Sequence, residues 1–213
     1  MTPGPYELRM QFDNFWQQER ARLSAHDYLA HGWQLAPVPI GHRYPNESFA
    51  DPENRFRHPQ ESTKLYLHGV ALCHARGLGR ATCALRFRDT PKASRWLVDR
   101  GVPAHWLAHL LTHSVQISSC TEGAKEEATL LFWRNPAEAL PELLPVADGA
   151  LVFETEATLL PPSVNPDSGY TLKWVQYGEP LRWNDTNWAR LPKLPADIEG
   201  ALLSAAPAST AVA

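Results

Sequence analysis

The sequence has few cysteines, no long apolar run and no secretory signal, and each of these absences argues against one class of protein. Three cysteines in 213 residues, without a signal peptide, predict reduced thiols rather than a disulfide scaffold. No apolar run approaches the roughly 20 residues that span a bilayer, so no membrane partner is expected. The first residues contain no basic stretch followed by an apolar block, which predicts a cytoplasmic protein.

The common enzyme motifs are also missing. The sequence contains no GxSxG elbow, no GxxxxGK[ST] phosphate loop, no GxGxxG after a strand and no CxxC pair. These motifs place a nucleophile, a phosphate cradle, a dinucleotide site or soft metal ligands. Their absence favours a binding protein over an enzyme and predicts no cofactor.

Charge is distributed unevenly along a chain whose formal net charge is -3. Residues 1–100 carry 14 basic and 10 acidic side chains, whereas residues 101–213 carry 6 and 13. Such asymmetry indicates either two surfaces with different partners or two lobes that attract each other.

The order of elements in the first half predicts an α+β protein with a ferredoxin-like βαββαβ half. Alternating apolar residues predict a strand at 6–12, and a helix follows from Phe15 to His31 with Gly32 as its stop. The strands 63–72 and 81–89 are predicted to form a hairpin with a glycine-rich connection. Helices are expected at 91–100 and 103–114, and a last strand is expected at either 114–118 or 128–134.

Proline and sequence pattern set the predicted domain limits. Five prolines make 35–62 a long irregular loop within a first domain at 1–120. Strands at 150–160 and 170–178 predict an additional C-terminal α/β lobe at 121–203, either separate or continuous with the first domain. The small residues of 204–213 predict a flexible tail.

The most basic stretch of the chain is residues 74–100, and it is the strongest candidate for nucleic-acid binding. Arginine and lysine can hold phosphates while glycines let the backbone approach closely. The predicted nucleic-acid contacts are Arg76, Gly77, Gly79, Arg80, Arg86, Arg88, Lys92 and Arg95. The alternative interpretation is that Arg86 and Arg88 are the solvated face of a hairpin.

Two comparisons with RNA-binding proteins refine this expectation. The octet from Arg80 to Phe87 has the basic first position of the RNA-recognition motif, but Thr82 and Ala84 occupy the places of its stacking aromatics. The order of elements is similar to that of the RAMP-type proteins of CRISPR complexes, which pair ferredoxin-like folds with glycine-rich loops. This resemblance implies a subunit of a ribonucleoprotein complex that holds RNA by its backbone.

Several histidines and cysteines are weaker candidates for chemistry. His26, His31 and His42 enter the long loop and could serve as general acid and base in a ribonuclease. One candidate metal site is a helix that places three histidines one turn apart, at His105, His109 and His113. A second candidate site has four soft ligands, Cys73, His74, Cys83 and Cys120. The spacing favours core cysteines and amphipathic histidines, so no metal is predicted.

Acidic and aromatic residues of the second half complete the candidates. Glu154 and Glu156 share one strand face and are expected to be solvated. Three tryptophans among polar neighbours indicate either a protein interface or core packing: Trp174, Trp183 and Trp188.

Together these features predict a non-catalytic binding or assembly subunit of a larger bacterial or phage complex. Its partners would be nucleic acid, RNA more than DNA, and other protein subunits. The alternatives are a protein-only adaptor or chaperone, which would use the same arginines on an acidic partner, and a histidine-dependent ribonuclease or metal hydrolase.

Overall fold

The computed structural model describes residues 19–39, 41–65, 69–74, 76–77, 80–118, 127–135, 143–181 and 191–205. Within these ranges the chain combines helices with two antiparallel sheets, which confirms the α+β class. The predicted strand at 6–12 lies outside the described residues, as does most of the tail. No described helix has the length and apolar character needed to cross a membrane.

Contacts divide the chain into two compact units. The first contains the described parts of Met1–Cys73 together with Leu159–Leu172, and the second contains those of His74–Thr158 and Lys173–Ala213. The boundary predicted at residue 120 therefore falls inside the second unit, where strands from either side of it pair directly.

The first unit combines a helix with a small sheet. Helix α1 covers 19–30, and Gly32 follows it with φ +81°, a conformation in which glycine meets no steric penalty. The three-stranded sheet has the order β1-β2-β9, and β9 belongs to this unit from Leu159 onward. The strands are β1 Leu35–Val38, β2 Gly69–Cys73 and β9 Ala157–Leu160.

The proline-rich stretch 35–62 contains more regular structure than its prolines suggest. Strand β1 opens it, and three 3-10 helices follow, at Glu47–Ala50, Pro52–Asn54 and Pro59–Leu65. The last of these includes residues predicted as strand, so β2 begins six residues later than expected. Prolines at the start of short helices are compatible with this geometry, because their missing N–H has no partner in the first turn.

The second unit is built on an eight-stranded sheet with the order β11-β10-β5-β6-β4-β8-β7 and with β3 beside β4. Strand β4 lies in the interior of this sheet, between β6 and β8. The strands are β3 Arg76–Gly77, β4 Arg80–Phe87, β5 Gln116–Ser118, β6 Ala128–Arg134, β7 Leu143–Val146, β8 Leu151–Glu154, β10 Lys173–Gln176 and β11 Glu179–Pro180.

Two strand predictions are wrong because pairing partners are distant in sequence. Strands β2 and β4 lie in different sheets, so the predicted hairpin between them does not form, and β4 pairs with the short strand β3 instead. The single strand expected at 150–160 is two strands, β8 and β9, which also belong to different sheets. The ferredoxin-like arrangement is therefore not confirmed.

Three helices cover one face of the large sheet: α2 Thr90–Val98, α3 Ala104–His113 and α4 Ala196–Ala205. The Asp89 carboxylate accepts a hydrogen bond from the Lys92 N–H and caps α2, whereas the sequence Thr90-Pro91 predicts Thr90 as the cap. The core beneath the helices contains Cys83, Leu85 and Phe87, the residues that alternation in β4 predicts to face inward.

Candidate nucleic-acid interface

Helix α2 presents most of its basic side chains to solvent. Ala93 and Leu97 are buried one turn apart, which turns the opposite side of the helix outward. The exposed basic residues of this segment are Arg88, Lys92, Arg95 and Arg100. Asp89 and Asp99 are the acidic residues of the same segment, so it carries a net positive charge in an acidic chain. We call these four basic residues the α2 basic face.

One cation of the α2 basic face is held in place by an aromatic ring. The Arg100 guanidinium carbon lies 3.9 Å from the centroid of the Trp96 ring, and its Nη1 donates to the Trp96 carbonyl at 3.4 Å. A guanidinium plane stacked on indole keeps its outer N–H groups available for an anion.

Lys92 already binds a carboxylate within the chain. Its Nζ lies 2.9 Å from the Asp148 Oδ2, and both side chains are largely exposed. Exposed ion pairs contribute little stability, because water competes for both charges. An incoming anion can therefore replace Asp148 at small cost.

Arg86 is not part of any exposed face. The residue is only 6 % exposed, and its guanidinium donates from Nε to Glu154 Oε1 at 2.8 Å and from Nη1 to Glu127 Oε1 at 3.0 Å. This burial fits neither the predicted phosphate contact of Arg86 nor the alternative of a solvated hairpin face, and the expectation that Glu154 is solvated is wrong. The physical reason is that both faces of β4 are buried, as Ala84 shows on the face that also carries Arg86.

A second buried group continues this polar network. Thr158 Oγ1 donates to Glu154 Oε2 at 2.7 Å, and His74 Nε2 lies 2.8 Å from the same hydroxyl. Because the hydroxyl has one proton and gives it to the carboxylate, Nε2 of His74 must carry a proton and donate. On its other side, His74 Nδ1 lies 3.0 Å from Thr82 Oγ1. Sequence reasoning missed this network, since its members are up to 84 residues apart.

The described residues of the glycine-rich segment pair as two antiparallel strands. Arg76 pairs with Ala81 and Gly77 with Arg80 in the β3–β4 ladder. The backbone thus brings the two arginines to one end of β4. The side chains of Arg76 and Arg80, and all of Gly79, lie outside the described part of the chain.

The three histidines of α3 are exposed, as predicted for an amphipathic helix. The rings of His109 and His113 are stacked, with centroids 3.9 Å apart and an angle of 19° between their planes. Among the described residues, no three His, Cys, Asp or Glu side chains are grouped to hold a metal ion.

Cys83 lies in the core, where burial raises the pKa of its thiol to about 12. Such a thiol stays protonated at neutral pH and is a poor metal ligand or nucleophile. Cys73 is also buried. Cys120, the remaining member of the candidate set, lies outside the described residues.

The candidate catalytic histidines are all exposed and belong to the first unit. His26 Nδ1 lies 3.4 Å from the Asp27 carboxylate, and His31 Nδ1 lies 2.8 Å from the Asp27 carbonyl. His42 follows a turn closed by its own N–H on Pro39. The hydrogen bonds of His26 and His31 are local, to a neighbouring residue or to the preceding helical turn.

Trp174 belongs to the interior. It is 6 % exposed and lies opposite Ile117 in the β5–β10 ladder. Of the two alternatives for this residue, a protein interface or core packing, the structure agrees with core packing. Trp183 and Trp188 lie outside the described residues, and their predicted role at a protein interface stays a prediction.

Comparisons with known proteins add no functional information. No protein-family model, curated protein or solved structure matches this chain significantly. The charge and geometry of the α2 basic face therefore carry the functional argument.

Proposed function

We propose that the protein is a non-catalytic subunit that binds a single strand of RNA through its phosphates. The α2 basic face is the observation that carries this proposal. Phosphate contacts need exposed cations, and they give binding that tolerates any base sequence. In this proposal the protein works in the cytoplasm with other protein subunits.

The proposed interface differs from the sequence-based set in two residues, one removed and one added. Arg86 is left out because its guanidinium is buried between two carboxylates. Arg100 is added because Trp96 fixes its orientation at the surface. The hairpin residues Arg76, Gly77, Gly79 and Arg80 remain as a second predicted contact. The likeness to RAMP-type subunits stays a prediction from the sequence, because the hairpin on which its order of elements rested does not form.

Fluorescence anisotropy of a labelled single-stranded RNA, titrated with protein at two salt concentrations, tests this proposal. We expect affinity to fall with salt at a slope of about -0.7 per phosphate contacted. The double variant Lys92→Glu/Arg95→Glu should abolish binding at moderate salt. No binding of the natural chain at low salt would overturn the proposal.

A matched control removes the effect of net charge. Arg20→Glu/Lys64→Glu changes the charge by the same amount, on exposed residues of the first unit. We expect this variant to bind RNA with nearly the natural affinity. Equal losses in the two double variants would show nonspecific attraction instead of an interface on α2.

A protein-only adaptor is the second candidate function, and the Lys92–Asp148 ion pair favours it. This contact shows that the α2 basic face accepts a carboxylate. An acidic protein segment could take the same position. The ratio of absorbance at 260 and 280 nm of the purified protein separates the two, since copurified RNA raises it.

A further inference from the structure

The turn between β10 and β11 exposes the side chain of Tyr177, and the backbone of Tyr177 has a conformation that bulky aromatic residues rarely adopt. Gln176 pairs with Glu179, so Tyr177 and Gly178 form a two-residue turn. Both have positive φ, +55° for Tyr177 and +80° for Gly178. Asn or Gly is the usual first residue of such a turn, and a bulky aromatic residue there is an outlier.

The Tyr177 ring adds to the histidine stack of α3. Its centroid lies 5.3 Å from that of His113, at an angle of 82°, and His113 is in turn stacked on His109. Tyr177 is 62 % exposed, and both histidines are also exposed. Three aromatic rings thus form one continuous surface, which we call the ring cluster.

Hydrogen bonds hold the ring cluster in this arrangement. His113 Nδ1 lies 3.0 Å from the His109 carbonyl, and because a carbonyl only accepts, Nδ1 carries a proton. The Gln176 amide donates to the His113 carbonyl at 2.8 Å and ties the turn to the end of α3. The rings are therefore positioned before any ligand arrives.

We propose that the ring cluster is a base-stacking site for the single-stranded RNA whose phosphates the α2 basic face holds. The inference rests on the proposed function and names the part of the RNA that this second surface binds. Base stacking on exposed aromatic rings is the usual partner of a cationic surface in proteins that bind single strands. Helices α2 and α3 pack over the same core, so one unit carries both surfaces.

Charge favours an anionic ligand, such as a nucleic acid, over a basic or apolar protein segment at this site. Helix α3 contains no acidic residue, and the neighbouring α2 segment is net positive. Tyrosine and histidine rings also keep polar edges, which suit bases better than an apolar side chain.

Anisotropy titrations with an RNA oligonucleotide, and with an abasic backbone of equal length, test the inference. Tyr177→Asn removes the ring with a residue that suits the turn, and Tyr177→Phe keeps the ring as a matched control. We expect Tyr177→Asn to weaken RNA binding about 5- to 150-fold, the range of one lost base stack. Tyr177→Phe should bind within about twofold of the natural chain, since every base can stack on a phenyl ring.

The outcomes separate the inference from the proposed function. If the abasic backbone binds as tightly as RNA, and Tyr177→Asn binds normally, the base-stacking site is overturned while phosphate binding stands. If RNA does not bind even at low salt, both are overturned. An unchanged salt slope in Tyr177→Asn, together with its weaker affinity, would support stacking, because the phosphate contacts are then intact.

Discussion

Arg86 and Glu154 form an ion pair of 2.8 Å in the interior of the larger sheet, with side chains 7 % and 2 % exposed. Glu127 adds a second carboxylate on Arg86 at 3.0 Å. Thr158 satisfies the other oxygen of Glu154. A buried charge in this position depends on its partners, since removing one leaves the other without compensation.

Removing the Arg86 guanidinium should strongly destabilise the second unit. We expect Arg86→Met to lower the free energy of unfolding by about 3–5 kcal/mol, because Glu154 then remains charged and buried. Urea denaturation monitored by circular dichroism measures this change. Arg95→Met, on the exposed side of α2, is the control and should change stability by less than about 0.5 kcal/mol. Equal effects of the two substitutions would contradict the assigned role of Arg86.

The Cys83 thiol should be inert in the folded protein. With its pKa raised by burial to about 12, the thiolate is about one part in ten thousand at pH 8. In a Cys120→Ser background, DTNB should release no colour before denaturant is added and two equivalents afterwards, from Cys73 and Cys83. Rapid reaction of the folded variant would contradict the burial of these cysteines.

Glu61 gives stability a dependence on acid pH. The Arg57 N–H, followed by the His58 N–H and Lys64, lowers the pKa of the Glu61 carboxyl below 4.5. A lowered folded-state pKa means that the stabilisation is complete above about pH 4.5 and is lost as the pH falls through the folded value. Carbon-13 NMR titration of the carboxyl should show this low value. The free energy of unfolding of Glu61→Gln should depend less on pH below 4.5 than that of the natural chain. An equal dependence in the two proteins would refute the contribution of Glu61.

Local signals predicted helix α2 and the inward face of β4. Thr90 and Pro91 mark the start of the helix and Gly101 its end, within one or two residues of the observed limits. Alternation assigned Cys83 and Phe87 to the core. These features depend on residues within a few positions of one another, which a single sequence displays.

Non-local pairing could not be predicted in the same way. Arg86 alternates with apolar residues as a solvated arginine does, and its partner Glu154 is 68 residues away. The role of Tyr177 depends on its turn conformation, and the residues predict only a strand there. The basic composition of residues 74–100 predicts contacts at Lys92 and Arg95, and the structure exposes both because Ala93 and Leu97 occupy the buried side of the helix.

The conformation of Tyr177 should have a measurable cost that its ring contact partly offsets. A non-glycine residue at positive φ costs about 1–3 kcal/mol, whereas asparagine adopts this region more readily. In a His113→Ala background the ring contact is absent, so we expect Tyr177→Asn to raise the free energy of unfolding by about 0.5–1 kcal/mol. In the natural background the gain should be smaller, because the substitution also removes the Tyr177–His113 contact. Urea denaturation of the four proteins in this double-mutant cycle measures both terms. Destabilisation by Tyr177→Asn in both backgrounds would mean that the turn does not strain tyrosine, and the structural reason for treating this residue as a ligand-binding position would be lost.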